Sequence, residues 1–276
     1  MIKIAGLGEI LLALILMLPG LVFAGEAQNA FNEGVKYYKA GKYKEAVAAY
    51  DRVIKSSPKA DEAYNNRGLA YFKLGQHDEA IKDYDEALKL NPKSTDAYFN
   101  RGNAHLAKKQ FDQAVKDFDE VLKQDPKAPK AYLQRGLAHN GLNQFEEAIR
   151  DLTQAQKLDP KDAEIYYSRG FAYRRLGKND QAIQDYSEAI KLQPKNPEAY
   201  NNRANAYSLL GKYDDAVKDY DEAIKLDSNN GRIYANRGVI RARQGKTEDA
   251  QKDFKKAVEL EPSLKNKFEP LITPVK

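Results

Sequence analysis

Two histidines stand at a spacing that could let them act together. The chain has three histidines and no cysteine, and His105 and His139 are 34 residues apart. In a structure that repeats with this length they would lie on neighbouring helices, close enough to share a metal ion or a proton. No third ligand is obvious in the sequence, whereas a metal site normally has at least three protein ligands. We favour the alternative that both imidazoles replace aromatic side chains in the packing.

Motifs of known enzyme classes are missing from the sequence. It contains no glycine-rich phosphate loop, no HExxH and no GxSxG, the patterns that accompany phosphate binding, zinc proteolysis and serine hydrolysis. We therefore expect no catalytic residue, no metal, no other cofactor and no small-molecule substrate, and the sequence predicts a protein that is not an enzyme.

An arginine and an aspartate recur with the same 34-residue spacing. The arginines are Arg67, Arg101, Arg135, Arg169, Arg203 and Arg237, and the aspartates are Asp83, Asp117, Asp151, Asp185, Asp219 and Asp253. The first segment of the period holds Glu33 and Ala49 instead, so both partners are missing together. This joint absence predicts an ion pair within each repeat, which would hold two helices in register.

Asparagine recurs one residue before the arginine. The column reads Asn32, Asn66, Asn100, Gln134, Ser168, Asn202 and Asn236. A carboxamide offers two N–H donors and one acceptor oxygen, which match the N–H and C=O groups of an extended peptide backbone. The column therefore indicates a peptide-binding ladder that Gln134 and Ser168 interrupt. The alternative is that each asparagine bonds within its own repeat or to water.

The elements that position these side chains follow from the same period. Glycine recurs at Gly34, Gly68, Gly102, Gly136, Gly170 and Gly238, with Ala204 in the remaining place. A fixed period of this length is typical of stacked repeats, in which each unit buries its apolar face only against its neighbours. Apolar residues at helical spacing, and a proline that ends six of the seven units, predict two helices in each repeat.

This pattern resembles the tetratricopeptide repeat, a 34-residue helix–turn–helix unit. The resemblance covers residues 27–264 and implies an all-α, right-handed superhelical solenoid. The implied units are 27–60, 61–94, 95–128, 129–162, 163–196, 197–230 and 231–264. The tail, residues 265–276, carries Pro270 and Pro274 and is expected to form no full extra helix. Phe268 and Leu271 are candidates to cover the last helix of the array.

The resemblance also implies that the first helix of every repeat lines a concave groove that binds a protein or peptide partner. The implied peptide-binding residues are Asn32, Asn66, Asn100, Asn202 and Asn236, together with Phe31, Phe72, Phe99, Leu133, Tyr167 and Phe171. Large exposed apolar patches usually mark a partner site. The alternative is that several of the apolar side chains pack between adjacent repeats. The carboxylate clamp of some family members is not expected, because its lysine is missing.

Residues 1–24 have the features of a secretory signal. Lys3 precedes a nine-residue apolar run over residues 10–18, Pro19 and Gly20 follow, and small residues lead to a predicted cleavage site after Ala24. We expect an exported protein, periplasmic or secreted. The alternative is an uncleaved membrane anchor formed by residues 4–24, which would have to include Glu9.

The charge pattern argues against nucleic acid as a partner. The formal net charge is +5 in 276 residues, and acidic and basic residues alternate along the helices without a basic stripe. The leading hypothesis is therefore an exported scaffold that binds a polypeptide in its groove. The alternative is an envelope assembly subunit that forms a homo-oligomer or docks through its end repeats, with membrane contact only if the signal is uncleaved.

Overall fold

The computed structural model describes residues 19–272, which contain fifteen α-helices and no β-strand. The helices are α1 Pro19–Lys39, α2 Tyr43–Ser56, α3 Asp61–Lys73, α4 His77–Leu90, α5 Thr95–Ala107, α6 Phe111–Gln124, α7 Pro129–Gly141, α8 Phe145–Leu158, α9 Ala163–Arg175, α10 Asn179–Leu192, α11 Pro197–Leu209, α12 Tyr213–Leu226, α13 Gly231–Arg243, α14 Thr247–Leu260 and α15 Lys265–Ile272. The all-α class predicted from the sequence is confirmed. Consecutive helices pack as antiparallel pairs, and each pair falls at the same place in the 34-residue period.

The described residues form two compact units, one that ends at Pro126 and one that begins at Lys127. The N-terminal unit contains α1 to α6 and the C-terminal unit contains α7 to α15. Most of the predicted signal, residues 1–18, lies outside the described residues, and α1 begins before the first repeat. No helix between residues 19 and 272 has the length and apolarity that crossing a bilayer requires.

Local sequence explains where several first helices begin. The side chains of Ser94, Asp162 and Asn196 accept hydrogen bonds from backbone N–H groups in the first turns of α5, α9 and α11. These bonds satisfy donors that have no partner inside the helix. Pro129 and Pro197 occupy the first positions of α7 and α11, where a missing N–H has no cost.

A ring of the second helix lies directly against the recurring glycine of the first. A Cβ atom added to Gly68 would stand 2.7 Å from the Tyr84 ring, and one added to Gly102 would stand 2.8 Å from the Phe118 ring. Both rings are fully buried. The glycine column therefore records a close approach of ring to backbone, because a side chain there would overlap the ring.

The turn between the two helices of a repeat uses the left-handed backbone region. Glycine occupies this turn in five repeats, with φ between 73° and 76°. Lys109 and Asn143 occupy it in the other two, with φ of 59° and 61°. The turn conformation is therefore the same whether or not glycine is present. For a residue with a Cβ atom this conformation costs roughly 1–2 kcal/mol.

Replacing Lys109 by glycine is expected to stabilise the protein by about 1 kcal/mol, because the strain of the left-handed conformation is removed. Asn143→Gly is the matched variant with a smaller expected gain, since asparagine tolerates this region better than lysine does. Urea denaturation of both variants and the parent measures the effect. A loss of stability in Lys109→Gly would show that the turn is not strained at this position.

The C-terminal tail covers the end of the array. Pro262–Leu264 form one 3₁₀ turn and α15 follows, so the tail contains a helix of eight residues where its prolines predict no full helix. Phe268 is 3% exposed and stacks on Phe254, with 4.9 Å between ring centroids and 12° between planes. Leu271 is 51% exposed and does not share this role.

Candidate functional site

The predicted ion pairs within each repeat are confirmed. In every pair the arginine Nε donates to one carboxylate oxygen and Nη2 donates to the other; for Arg203 and Asp219 the two distances are 2.7 and 2.8 Å. The six pairs are Arg67–Asp83, Arg101–Asp117, Arg135–Asp151, Arg169–Asp185, Arg203–Asp219 and Arg237–Asp253. All six aspartates are buried, so these are interior pairs rather than the exposed pairs that contribute little.

The same arginines also reach the preceding repeat, which the sequence analysis does not predict. Nη1 of Arg67 donates to Asp51 at 2.5 Å and Nη1 of Arg101 donates to Asp85 at 2.6 Å. In the C-terminal unit Nη1 of Arg203 donates to the hydroxyl of Ser187 at 2.9 Å. Each of these arginines therefore joins the two helices of its own repeat to the second helix of the repeat before it.

Burial and hydrogen bonding set the protonation of these groups. The hydrogen bonds to Asp83 raise the pKa of Arg67, and burial opposes this shift. Burial raises the pKa of Asp83, and the hydrogen bonds from Arg67 offset part of that effect. The Arg67 guanidinium also lies 5.6 Å from the Tyr64 ring centroid, within the range of a cation–π contact. Because Arg67 is already bound by two carboxylates and a tyrosine ring, its role is to hold helices together rather than to bind a ligand.

Each of the two histidines is bound within its own repeat. Nδ1 of His105 lies 2.7 Å from Oε1 of Gln110 in the turn, and its Nε2 lies 3.8 Å from Asp117. His139 repeats this arrangement with Gln144 and Asp151. Within residues 19–272, no three metal-ligating side chains come together. The geometry thus supports the replacement of an aromatic side chain in the packing.

Three members of the asparagine column bond between repeats, which neither interpretation of the sequence predicts. Nδ2 of Asn100 donates to Oδ1 of Asn65 at 3.0 Å, and Nδ2 of Asn236 donates to Oδ1 of Asn201 at 3.1 Å. Asn202 donates to the Tyr167 hydroxyl at 2.9 Å. One donor of each amide is therefore used by the preceding repeat, and each carboxamide still has a second N–H and an acceptor oxygen to offer.

The first two amides of the column are different. Asn32 accepts a hydrogen bond from Gln28, one turn earlier in α1. Asn66 is partly exposed, and no hydrogen bond joins it to another side chain in the described part of the chain. In the C-terminal unit Ser168 is only 4% exposed, so the amide row is interrupted there.

The predicted apolar binding residues divide into one buried and five half-buried side chains. Leu133, expected on the binding face, is 3% exposed and packs with Ile165 in the core of the C-terminal unit. It is therefore a core residue, because it fills space between first helices. The five half-buried residues are Phe31, Phe72, Phe99, Tyr167 and Phe171. Each of these rings has one packed side and one accessible side. The predicted exposure on the binding face and the alternative of packing between repeats therefore both apply in part.

Three of the half-buried rings rest on the ring that fills the repeat core. Phe31 contacts Tyr50 and Phe99 contacts Phe118, with 5.7 Å between centroids in both pairs, and Tyr167 contacts Tyr186 at 5.9 Å. These edge contacts fix ring orientation, so the accessible sides are held in place. We call the half-buried rings and the asparagines of the column the first-helix face. Each compact unit has its own part of it.

Models of repeat families match most of the chain. Matches to the tetratricopeptide repeat cover residues 31–95, 68–129, 197–230 and 231–264, and matches to a TPR repeat model cover residues 140–177 and 172–211. A comparison with curated proteins gives no match.

Solved structures of other proteins share the fold. A tetratricopeptide repeat protein from Parabacteroides merdae is 21% identical, with a TM-score of 0.68 over 90% of this chain and 98% of that one. MamA from Desulfovibrio magneticus is 25% identical, with a TM-score of 0.59 over 61% of this chain and 96% of that one. YrrB, described as a TPR protein with an unusual peptide-binding site, is 22% identical, with a TM-score of 0.56 over 65% and 93%.

Proposed function

Because the chain belongs to the tetratricopeptide repeat family, whose members act as protein-interaction scaffolds, we propose that it is a non-enzymatic scaffold that binds an extended segment of a partner protein on its first-helix face. The proposal extends to an exported protein, periplasmic or secreted, on the strength of residues 1–24.

The observation that carries this proposal is the regular placement of amides beside half-buried rings. Asn100 and Asn236 stand in equivalent places, and each pairs with an amide of the preceding repeat. Each pair keeps free N–H groups and an acceptor oxygen, which an extended backbone can meet with its own C=O and N–H groups. Rings such as Phe99 lie beside the amides and can receive apolar side chains of the partner.

Site-specific photocrosslinking tests where the partner binds. A photoreactive residue placed at Asn66 lies on the first-helix face, one at Lys82 lies on an exposed part of α4, and one at Lys267 lies on the end helix α15. The partner is first isolated by affinity capture on the full chain. We expect adducts with this captured partner from Asn66 and none from Lys82. Adducts from Lys267 without any from Asn66 would instead support the alternative of association through end repeats.

Substitution of a single asparagine tests how much the amide column contributes to the affinity for the partner. Asn66→Ala should weaken partner binding by about 3- to 10-fold, the range expected for one hydrogen bond, and should leave the repeat stack intact, because Asn66 is partly exposed and holds no inter-repeat bond. Gln113→Ala, on an exposed site of α6, is the matched amide control. Isothermal titration with the captured partner measures both. Equal affinities for the two variants would contradict a role for the amide column.

Export is tested separately by the mass of the mature N-terminus. Expression in a host with a secretory pathway should release a chain that starts at Gly25, after the predicted cleavage site. A chain that keeps residues 1–24 and sediments with membranes would support the anchored alternative.

A further inference from the structure

Three arginines of the C-terminal unit differ from every other arginine in residues 19–272. Arg174, Arg175 and Arg243 form no ion pair, whereas each remaining arginine of this range lies within 4.0 Å of a carboxylate oxygen. Arg174 and Arg175 end α9, and Arg243 ends α13. Within residues 19–272, these three arginines are therefore the ones whose charge is not neutralised by an ion pair.

Arg174 lies among aromatic side chains of the first-helix face. Its guanidinium carbon is 5.7 Å from the Phe171 ring centroid. Burial raises the pKa of Tyr186 to about 12, and the positive charge of Arg174 opposes that shift. Burial likewise raises the pKa of Tyr167, as does the Glu198 carboxylate that accepts a hydrogen bond from its hydroxyl, and Arg174 has the opposing effect. Rings therefore surround one side of the cation, and no carboxylate of the described residues forms an ion pair with it.

Two polar atoms at this place are buried and make no hydrogen bond of ordinary geometry to the described residues. Nε of Arg174 and the hydroxyl of Tyr186 are both inaccessible to solvent, and Arg174 interacts with this hydroxyl, which lowers the pKa of Tyr186 against the effect of burial. The Tyr186 side chain is fully buried. A partly desolvated cation without a counter-ion is costly, and an anion that reaches it forms a charge-assisted hydrogen bond of the stronger kind. The arrangement therefore lacks an acidic partner.

Arg175 and Arg243 extend this positive region over three repeats. Arg175 lies 4.7 Å from the Phe145 ring centroid and donates to Oδ1 of Asn143 at 3.2 Å. Arg243 stands two periods after Arg175. Burial raises the pKa of Tyr220, and the charges of Arg174 and Arg243 both oppose the shift. Arg175 and Arg243 are both exposed and occupy the same position of the period, each at the end of a first helix.

We propose that Arg174, Arg175 and Arg243 form a basic subsite on the first-helix face of the C-terminal unit, and that it binds acidic side chains of an extended partner segment. Arg174 pairs with one carboxylate of the partner, and the other two arginines bind acidic residues further along it. The proposal rests on the proposed function and names the chemistry of the segment that is bound.

An acidic peptide fits this surface better than a nucleic acid does. Glu164 and Glu198 stand near the starts of α9 and α11, and together with Asp162 and Tyr167 they line one opening of the same face. These carboxylates repel a continuous phosphate backbone, whereas a peptide can place its acidic residues at the arginines alone. Three arginines over three repeats are also fewer than the basic stripe typical of nucleic-acid sites.

A synthetic peptide that alternates glutamate and alanine tests the proposal. Fluorescence anisotropy with the full chain should show binding about 10-fold or more tighter than for the peptide with glutamine in place of glutamate. Arg174→Gln should weaken binding of the glutamate peptide by about 10-fold or more, and Arg174→Lys should restore part of the loss because it keeps the charge. Lys225→Gln removes the same charge from an exposed site of α12 and should change affinity by less than about 2-fold.

Several results would overturn the acidic subsite. The first two are the absence of any binding by the glutamate peptide and equal affinity for the glutamate and glutamine peptides. The third is an equal loss of affinity in Arg174→Gln and Lys225→Gln. The fourth is tighter binding of a single-stranded oligonucleotide that carries the same charge as the glutamate peptide. If the glutamine peptide binds as well and crosslinks at Asn66, peptide binding by the first-helix face stands and only the preference for acidic segments is lost.

Discussion

Replacing Asp185 by alanine is expected to lower the free energy of unfolding by about 3–5 kcal/mol. Asp185 is 6% exposed and receives two hydrogen bonds of 2.8 Å from Arg169, which is itself 8% exposed. The substitution leaves a buried guanidinium without its carboxylate, and this uncompensated charge accounts for most of the loss. Glu188, whose pair with Lys191 is exposed, is the matched control, and Glu188→Ala should cost less than about 1 kcal/mol.

A double-mutant cycle separates the pair from its context. Arg169→Met strands the Asp185 carboxylate and should also be strongly destabilising, whereas Arg169→Met with Asp185→Leu removes both charges and should cost much less than the sum of the single changes. Urea denaturation of the four proteins gives the coupling energy. Additive losses, or a loss in Asp185→Ala no larger than in Glu188→Ala, would contradict a structural role for the buried pair.

The ion pairs illustrate what a period can predict from sequence. In the first repeat Glu33 replaces the arginine and Ala49 replaces the aspartate. Because both residues are replaced in the same repeat, the sequence identifies them as partners. The third bond of each arginine could not be found in this way. Its acceptor is an aspartate for Arg67, Arg101 and Arg237 but a hydroxyl for Arg169 and Arg203, so the acceptor column is only partly regular.

The asparagine column shows a second limit. The sequence predicts where the amides recur, but the bond from Asn100 to Asn65 joins residues 35 positions apart, which is one residue more than the period. Such a contact depends on how neighbouring first helices are offset along their axes. The burial of Leu133 could not be predicted either. Whether this position of the first helix is buried or exposed depends on the size of neighbouring side chains such as Ile165, and the periodicity of the sequence does not contain that information.

The turns show the opposite case, in which the structure is more regular than the sequence. Lys109 and Asn143 depart from the glycine column and still adopt a positive φ, within about 17° of that of Gly75. The packing of the helices on either side therefore determines the turn, and the residue only sets its cost. The same logic explains why residue identity at Arg174 is informative: packing accounts for the paired arginine column, so an unpaired arginine on the first-helix face needs a separate explanation.

Replacing Phe268 by alanine is expected to destabilise the last repeat by about 3 kcal/mol. In a repeat array each unit is stabilised by its own helices and by the interface with each neighbour, and the tail helix α15, rather than the first helix of another repeat, packs on α14. Phe268 supplies the missing interface, because its ring stacks on Phe254 and belongs to the same buried cluster as Ala235 and Ala257. Without that ring the end of the array exposes Phe254 to water.

The loss should be local, and this distinguishes it from the effect of Asp185→Ala. Hydrogen exchange is expected to show faster exchange in α13 and α14 of Phe268→Ala, while α7 to α10 keep their protection, because terminal units open independently of interior ones. Leu271→Ala is the matched control on the same helix: Leu271 is 51% exposed, and its truncation should change stability by less than about 0.5 kcal/mol. Unchanged exchange in α14 of Phe268→Ala would mean that the tail helix contributes nothing to the last repeat, and that the polar second helix α14 ends the array without it.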